Sequence, residues 1–154
     1  MVTALFIFFL VASLLVNLWL DRRQINSVAN HRAEVPETFR EHIALDAHQK
    51  AADYTLARMR IGVYELFYAS ILLLVWTLGG GLDLVDGLWQ AAELDSLITG
   101  SIVIISVLLI GGLLDLPFGL YRTFKIEQKF GFNRTTPGVF VSDLIKQVIL
   151  SIVL

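Results

Sequence analysis

The sequence predicts an all-α, polytopic transmembrane helical bundle with three full spans, the start of a fourth, and a helical cytoplasmic loop. Hydrophobic residues make up 56% of the 154 residues and charged residues only 17%, against about 25% charged residues in a soluble domain. The charges avoid three long stretches almost completely, and Lys and Arg gather in alternate connections. These observations exclude a small soluble domain, whose single core would be too small for so many apolar residues.

Four apolar segments are predicted spans, since about 20 apolar residues are needed to cross a hydrocarbon core of about 30 Å. They are residues 2–20, 61–82, 97–116 and the incomplete 138–154. The first lacks a basic start and an A-x-A cleavage site, which favours a retained span over a cleaved signal peptide. The fourth is still apolar at Leu154. We therefore expect residues 1–154 to be a single membrane domain, the amino-terminal part of a longer protein.

The distribution of Lys and Arg predicts the orientation of the chain in the membrane. Residues 21–60 contain seven of them, residues 117–138 contain four, and residues 83–96 contain none. Positively charged residues accumulate in cytoplasmic loops. We therefore expect the amino terminus outside, and the loops 21–60 and 117–138 in the cytoplasm.

The first cytoplasmic loop is predicted to be helical, because several signals of helix start and periodicity occur in it. They are the first-position proline Pro36, the apolar face of Phe39, Ile43 and Ala47, and the capping box of Asp46 and Gln49. A helix that runs from about residue 47 to residue 82 would exceed the membrane thickness. We expect its first turns to project into the cytoplasm.

Glycine and proline mark the remaining boundaries of the predicted helices. The glycines at 79–81 are expected to end the second span with a left-handed cap. Pro117 is expected to end or kink the third span, and Gly131 permits a turn. Thr136 and Pro137 have the residue types of an N-cap and a first helical position, so the fourth span should start there.

No sequence motif for catalysis or for metal binding is present. The chain has no cysteine, no G-x-S-x-G and no H-E-x-x-H, and its histidines His31, His42 and His48 lack the spacing of zinc ligands. The net charge of −2 argues against a nucleic-acid partner. We expect no catalytic residue, no metal ligand and no cofactor in this chain.

Three acidic residues lie within predicted spans, close to their cytoplasmic ends: Glu65, Asp115 and Asp143. A charge costs roughly 2.5–3.5 kcal/mol at the centre of a spanning helix. Two interpretations stay open. Either the carboxylates face a wet interior cavity and pair with Arg122, Lys146 or each other, or they are solvated at the membrane interface. Asp143 and Lys146 are three residues apart, which favours a local pair.

One long stretch resembles a known family. Leu116 to Pro137, LPFGLYRTFKIEQKFGFNRTTP, is similar to the L-P-F-x-x-Y-x-x-F-x-I-E-x-K-x-G-F-N-x-T-T-P segment of membrane-embedded CAAX prenyl endopeptidases, type I. Residues 48–55, HQKAADYT, resemble the entry into the second span of bacterial members. The family signature loop, residues 127–137, is the candidate site at the mouth of a chamber: Glu127, Lys129, Gly131, Phe132, Asn133, Thr135, Thr136 and Pro137.

The resemblance implies a zinc metalloendopeptidase whose helices enclose an intramembrane chamber. Its H-E-x-x-H motif and zinc would lie in a later half of the full-length protein, so this chain alone should be inactive. The implied partners are a lipid bilayer, the remaining helices and catalytic half, and a peptide or protein substrate. The implied location is a bacterial inner membrane. The alternative is a non-catalytic membrane scaffold or a transport-related protein.

Overall fold

The helices form where the apolar segments predict them, and short connections join them. The structure, a computed structural model, describes the backbone of residues 1–153 and the side chains of residues 1–150. The expected end of the fourth span at Leu154 lies outside the described residues. The described chain contains no strand. Its helices are α1 (Val2–Asn30), α2 (Leu45–Thr77), α3 (Gly81–Gln90), α4 (Ser96–Tyr121) and α5 (Pro137–Val153).

Three helical stretches are long and apolar enough to cross a membrane: Val2–Asn30, Leu45–Thr77 and Ser96–Glu127. The apolar windows of the first two contain no buried residue. Apolar side chains that no other part of the described protein covers are suited to lipid or to contact with further membrane helices. The prediction of an all-α transmembrane bundle is therefore confirmed, and the chain is an integral membrane protein.

The structure corrects the predicted helix in the first cytoplasmic loop. α1 continues ten residues past Leu20, and Pro36 then precedes only the short 3₁₀ turn Glu37–Phe39. The predicted face of Phe39, Ile43 and Ala47 does not form in one helix, so that prediction is wrong. Contacts within the loop provide the reason. Arg40 forms an ion pair with Glu34 and donates to the carbonyl oxygen of Val35 at 3.1 Å, which closes the chain into a compact turn.

α2 begins at Leu45, close to the predicted start, but the predicted capping box is wrong. Ala44 occupies the N-cap position, and the Asp46 carboxylate accepts from the adjacent N–H of Ala47 at 2.8 Å. The helix has 33 residues, or about 50 Å at 1.5 Å per residue, so it exceeds the membrane thickness as expected.

The end of α2 follows the glycine signal. The helix ends at Thr77, five residues before the predicted boundary of the span, and Gly80 has the left-handed φ of +78°. α2 ends before the glycines as predicted, but its C-cap is Leu78 in a right-handed conformation, and the left-handed Gly80 is instead the N-cap of α3. The chain then enters α3, which was not predicted. Val85 of this short helix is buried, and the indole N–H of Trp89 donates to Ser106 Oγ of α4 at 3.0 Å.

Pro117 does not end the third spanning helix. α4 continues to Tyr121, and π-helical turns follow over Arg122–Glu127. A proline inside a helix removes an N–H donor and disturbs the preceding carbonyl groups, which neighbouring helices can satisfy within a membrane. Here the Tyr68 hydroxyl of α2 donates to the Leu114 carbonyl oxygen at 3.0 Å, and its ring lies 5.0 Å from that of Phe118. This contact fixes α2 beside the proline turn.

Replacement of Tyr68 by Phe should lower the free energy of unfolding by about 0.5–1.5 kcal/mol, because the Leu114 carbonyl loses its donor while the ring contact is kept. Thermal unfolding of the intact protein in detergent measures the change. Tyr64→Phe is the matched control, since the Tyr64 side chain is 67% exposed and makes no hydrogen bond with the described residues. Equal shifts in the two variants would remove the support for this contact.

Candidate functional site

The family signature loop packs against the projecting turns of α2. The ring of Tyr54 lies 5.6 Å from that of Phe130 and 4.8 Å from that of Phe132. Lys50 Nζ lies 5.3 Å from the centre of the Phe132 ring, a distance at which a cation is attracted to an aromatic face. The two segments that the family resemblance singled out are therefore in direct contact.

Backbone hydrogen bonds close the loop immediately after the π-helical turns. The N–H groups of Phe132 and Asn133 both donate to the Glu127 carbonyl oxygen, at 2.8 and 3.2 Å. Gly131 lies between the π-helical turns and α5, and its backbone has a left-handed φ of +74°. Glycine adopts this backbone conformation without the steric cost that a Cβ atom brings. The predicted turn at Gly131 is confirmed.

Side-chain caps hold the second half of the loop and start α5. Asn133 Oδ1 accepts from the N–H of Thr135 at 2.6 Å, and Thr136 Oγ1 accepts from the N–H of Val139 at 3.3 Å. α5 then begins at Pro137. The predicted N-cap and first helical position are confirmed, because Thr136 satisfies a free N–H of the first turn and Pro137 has none to satisfy.

Two charged side chains of the loop differ in their surroundings. Lys129 Nζ lies 5.5 Å from the centre of the Phe130 ring. The half-buried Glu127 side chain makes no hydrogen bond or ion pair with any described residue, although its backbone carbonyl accepts two. A carboxylate without a partner beside a membrane retains its capacity to accept hydrogen bonds.

The intramembrane carboxylate Glu65 forms an ion pair with Arg122, the first residue of the π-helical turns. Both side chains are partly buried. Of the two interpretations of Glu65, the structure supports pairing rather than solvation alone. The Nε atom of Arg122 is buried and has no hydrogen-bond partner among the described residues.

The other two intramembrane carboxylates share a cavity of about 460 Å³ between α4 and α5. Asp115 and Asp143 both line it, together with Thr123 and Thr135. Asp143 also pairs with Lys146 at 3.3 Å, so the predicted local pair is confirmed. A cavity of this volume that two carboxylates line has room and hydrogen-bond acceptors for water molecules, which favours the interpretation of a wet cavity for these two residues.

The end of α1 is joined to the projecting turns of α2 by contacts that the sequence did not predict. Arg32 donates two hydrogen bonds to Asp53, at 2.6 and 2.8 Å, and His48 Nε2 lies 2.9 Å from the His31 carbonyl oxygen. The hydrogen bonds from Arg32 lower the pKa of Asp53, which lies two turns before the apolar part of α2 begins. No local spacing signals such a pair, because its members are 21 residues apart.

The described residues contain no group of three His, Cys, Asp or Glu side chains that could hold a metal ion. His31 and His48 approach each other only through a backbone carbonyl. The residues of this part of the chain therefore do not fit a zinc site, and no step of a reaction is assigned to a metal here.

Comparison with protein families and with curated proteins gives consistent matches. Residues 24–154 match a family model described as "CAAX prenyl protease N-terminal, five membrane helices". The chain is similar to the probable CAAX prenyl protease 1 of Schizosaccharomyces pombe, with 30% identity over 87% of this chain and 31% of that protein. It is also similar to a CAAX prenyl protease 1 homolog of Oryza sativa subsp. japonica, with 40% identity over 58% of this chain and 20% of that protein.

A solved structure shows the same fold. The crystal structure of S. mikatae Ste24p superposes with a TM-score of 0.79 at 22% identity, over 93% of this chain and 34% of that one. The chain spans about a third or less of the length of these matched proteins.

Replacement of Gly131 by Ala should lower the free energy of unfolding by about 1 kcal/mol, because an L-residue is disfavoured at a φ of +74°. Gly62→Ala is the matched control: Gly62 lies inside α2 with nothing within 4 Å of an added Cβ, so the change should leave stability equal or higher. Thermal unfolding in detergent measures both. An unchanged or raised unfolding temperature for Gly131→Ala would contradict the left-handed turn.

Proposed function

This chain belongs to the CAAX prenyl protease N-terminal family, and from that membership we propose that it forms one wall of an intramembrane peptidase chamber. It is the amino-terminal membrane region of a CAAX prenyl protease. The observation that carries the proposal is the match over residues 24–154, with three helical stretches able to cross the membrane. The parent protein is proposed to be a metalloendopeptidase that cleaves a peptide or protein substrate.

Zinc is proposed to act in the remaining part of the full-length protein. The described part of this chain offers no ligand group, and the chain matches only 31% of the length of the Schizosaccharomyces pombe relative. Zinc would supply an activated water for attack on a peptide bond. The role of this chain would be to bind lipid, to shape the chamber and to present the signature loop.

The signature loop is proposed to border the cytoplasmic mouth of the chamber. Three features support this: the loop follows the exit of α4, it packs on the projecting turns of α2, and Glu127 is left without a partner. A peptide that enters along this edge exposes backbone N–H groups, for which an unpaired carboxylate is an acceptor. Asn133, by contrast, is already used to cap the loop.

The proposed orientation has the amino terminus outside and the loops 21–60 and 117–138 in the cytoplasm. The contact of Tyr54 with Phe130 and Phe132 supports a common side for these two basic connections, and positively charged loops are retained in the cytoplasm. The bacterial inner membrane stays a prediction, because the relatives named above are eukaryotic.

The full-length protein that carries this chain should hydrolyse peptide bonds, and a zinc chelator should abolish the activity because the proposed water nucleophile depends on the metal. Hydrolysis of a fluorogenic peptide in detergent, followed by return of activity when zinc is restored, measures this. Activity that persists in chelator would contradict the zinc assignment. Absence of hydrolysis on any peptide would favour the non-catalytic membrane scaffold or transport-related protein.

Glu127→Gln in the full-length protein should lower peptide turnover by roughly 10-fold to 100-fold, since the loss of a charged acceptor costs about 1.5–3 kcal/mol. The unfolding temperature should stay the same, because the side chain has no partner among the described residues to lose. Peptide hydrolysis and thermal unfolding are measured on the same preparation.

The matched control for this variant is Glu41→Gln, an equal change of charge at an exposed residue of the first cytoplasmic loop. It should retain wild-type turnover. Wild-type turnover in Glu127→Gln as well would refute the role of Glu127 at the mouth, while leaving family membership untouched.

A further inference from the structure

A second cavity lies where α2 meets the π-helical turns. It has a volume of about 600 Å³ and is bordered by Arg60 and Tyr64 of α2 on one side and by Tyr121, Lys125 and Lys129 on the other, with Phe130 at its base. We refer to it as the cationic groove. It is separate from the cavity of Asp115 and Asp143 and does not include Glu127.

The groove has positive charge that the described residues do not neutralise. Arg60 and Lys125 are exposed and form no ion pair with another described residue. Lys129 is held by the face of Phe130. Asp53, which lines the adjoining cavity beside Arg60 and Lys129, accepts both of its hydrogen bonds from Arg32 and also attracts Lys129. Glu65 pairs with Arg122.

The groove lies at the boundary between hydrocarbon and water. Arg60 is the last basic residue before the long apolar part of α2, and Tyr64 follows one helical turn later. Tyr64 is 67% exposed and Tyr121 is 50% exposed. Exposed tyrosines are favoured at this depth, where the ring contacts acyl chains and the hydroxyl reaches the headgroups. Lipid phosphate groups occupy the same layer as these cations.

An apolar path leads from the groove along α2. Tyr64, Phe67 and Ile71 follow each other at intervals of three and four residues, and the last two are 43% and 60% exposed. Residues at this spacing lie on one face of a helix. A soluble anion bound in the groove would leave this stripe uncovered, whereas the acyl chain of a lipid would lie along it.

We propose that the cationic groove binds the phosphate headgroup of an anionic phospholipid, held by Arg60, Lys125 and Lys129, with its acyl chain along the exposed stripe of α2. The two tyrosine hydroxyls provide further donors to phosphate oxygens. The bound lipid bridges α2 and the turns that lead to the signature loop. This inference goes beyond the peptidase proposal, and its test requires no substrate.

The test is native mass spectrometry of the full-length protein released from nanodiscs that contain phosphatidylglycerol or phosphatidylcholine. The wild type should retain phosphatidylglycerol preferentially. The double variant Arg60→Gln and Lys125→Gln should bind it roughly 30-fold more weakly, because each basic residue near an anionic lipid strengthens binding about fivefold. Binding of phosphatidylcholine should not change.

The matched control is the double variant Arg22→Gln and Arg134→Gln, which removes the same charge from two exposed arginines outside the groove. It should keep the preference for phosphatidylglycerol. Equal losses in both double variants would assign the effect to general surface charge and overturn the site. Equal retention of the two lipids by the wild type would also overturn the proposal. That result is expected if other helices of the full-length protein fill the groove.

Two further measurements test the proposal, one with a charge-conserving variant and one with inorganic phosphate as a competitor. The conservative variant Arg60→Lys with Lys125→Arg should restore binding, which separates loss of charge from a folding defect; failure to restore it in a folded protein would count against the proposal. Inorganic phosphate should not displace the lipid, since it lacks an acyl chain. Displacement by phosphate alone would assign the groove to a soluble anion instead.

Discussion

The pairing of Glu65 with Arg122 is the interaction on which the arrangement of this end of the bundle depends. An unpaired charge at this depth would be costly to bury, so the pair fixes the start of the spanning part of α2 against the turns that follow α4. The hydrogen bond from Tyr68 to the Leu114 carbonyl joins α2 to α4 itself, one turn further along α2. These two contacts hold the projecting turns of α2 close to the signature loop, so that the two segments pack against each other.

Features governed by local backbone chemistry were predictable from the sequence. The spans follow from hydropathy, because lipid offers no hydrogen bonds to the backbone and leaves helices as the available structure. The turn at Gly131, the end of α2 before the glycines and the start of α5 at Thr136 and Pro137 depend on residues next to each other. The errors arose where side-chain contacts outside the regular helical spacings decide the conformation. Arg40 closes the turn after Pro36, and Trp89 attaches the unpredicted α3 to Ser106.

The candidate site was predictable as a stretch of sequence but not as a surface. The resemblance identified residues 48–55 and the signature loop separately, and only the structure shows that Tyr54 lies between Phe130 and Phe132 with Lys50 beside them. Nothing in the spacing of these residues signals the contact, since about 75 positions separate them. The pairing of Arg32 with Asp53 was missed for the same reason.

The short segment that contains the π-helical turns borders two surfaces, the cationic groove and the signature loop. In such turns, backbone hydrogen bonds join residues five apart rather than four. Tyr121 and Ile126, and likewise Lys125 and Phe130, are separated by five residues and border the same groove toward α2. Glu127 is not part of that border, and its carbonyl instead closes the signature loop. Tyr121, Lys125 and Lys129 are four residues apart, a spacing that a regular α-helix also brings onto one face, and the π-helical turns add Ile126 to the same border. The cationic groove and the loop that we place at the chamber mouth therefore border the same helical segment, which the Glu65–Arg122 pair attaches to α2.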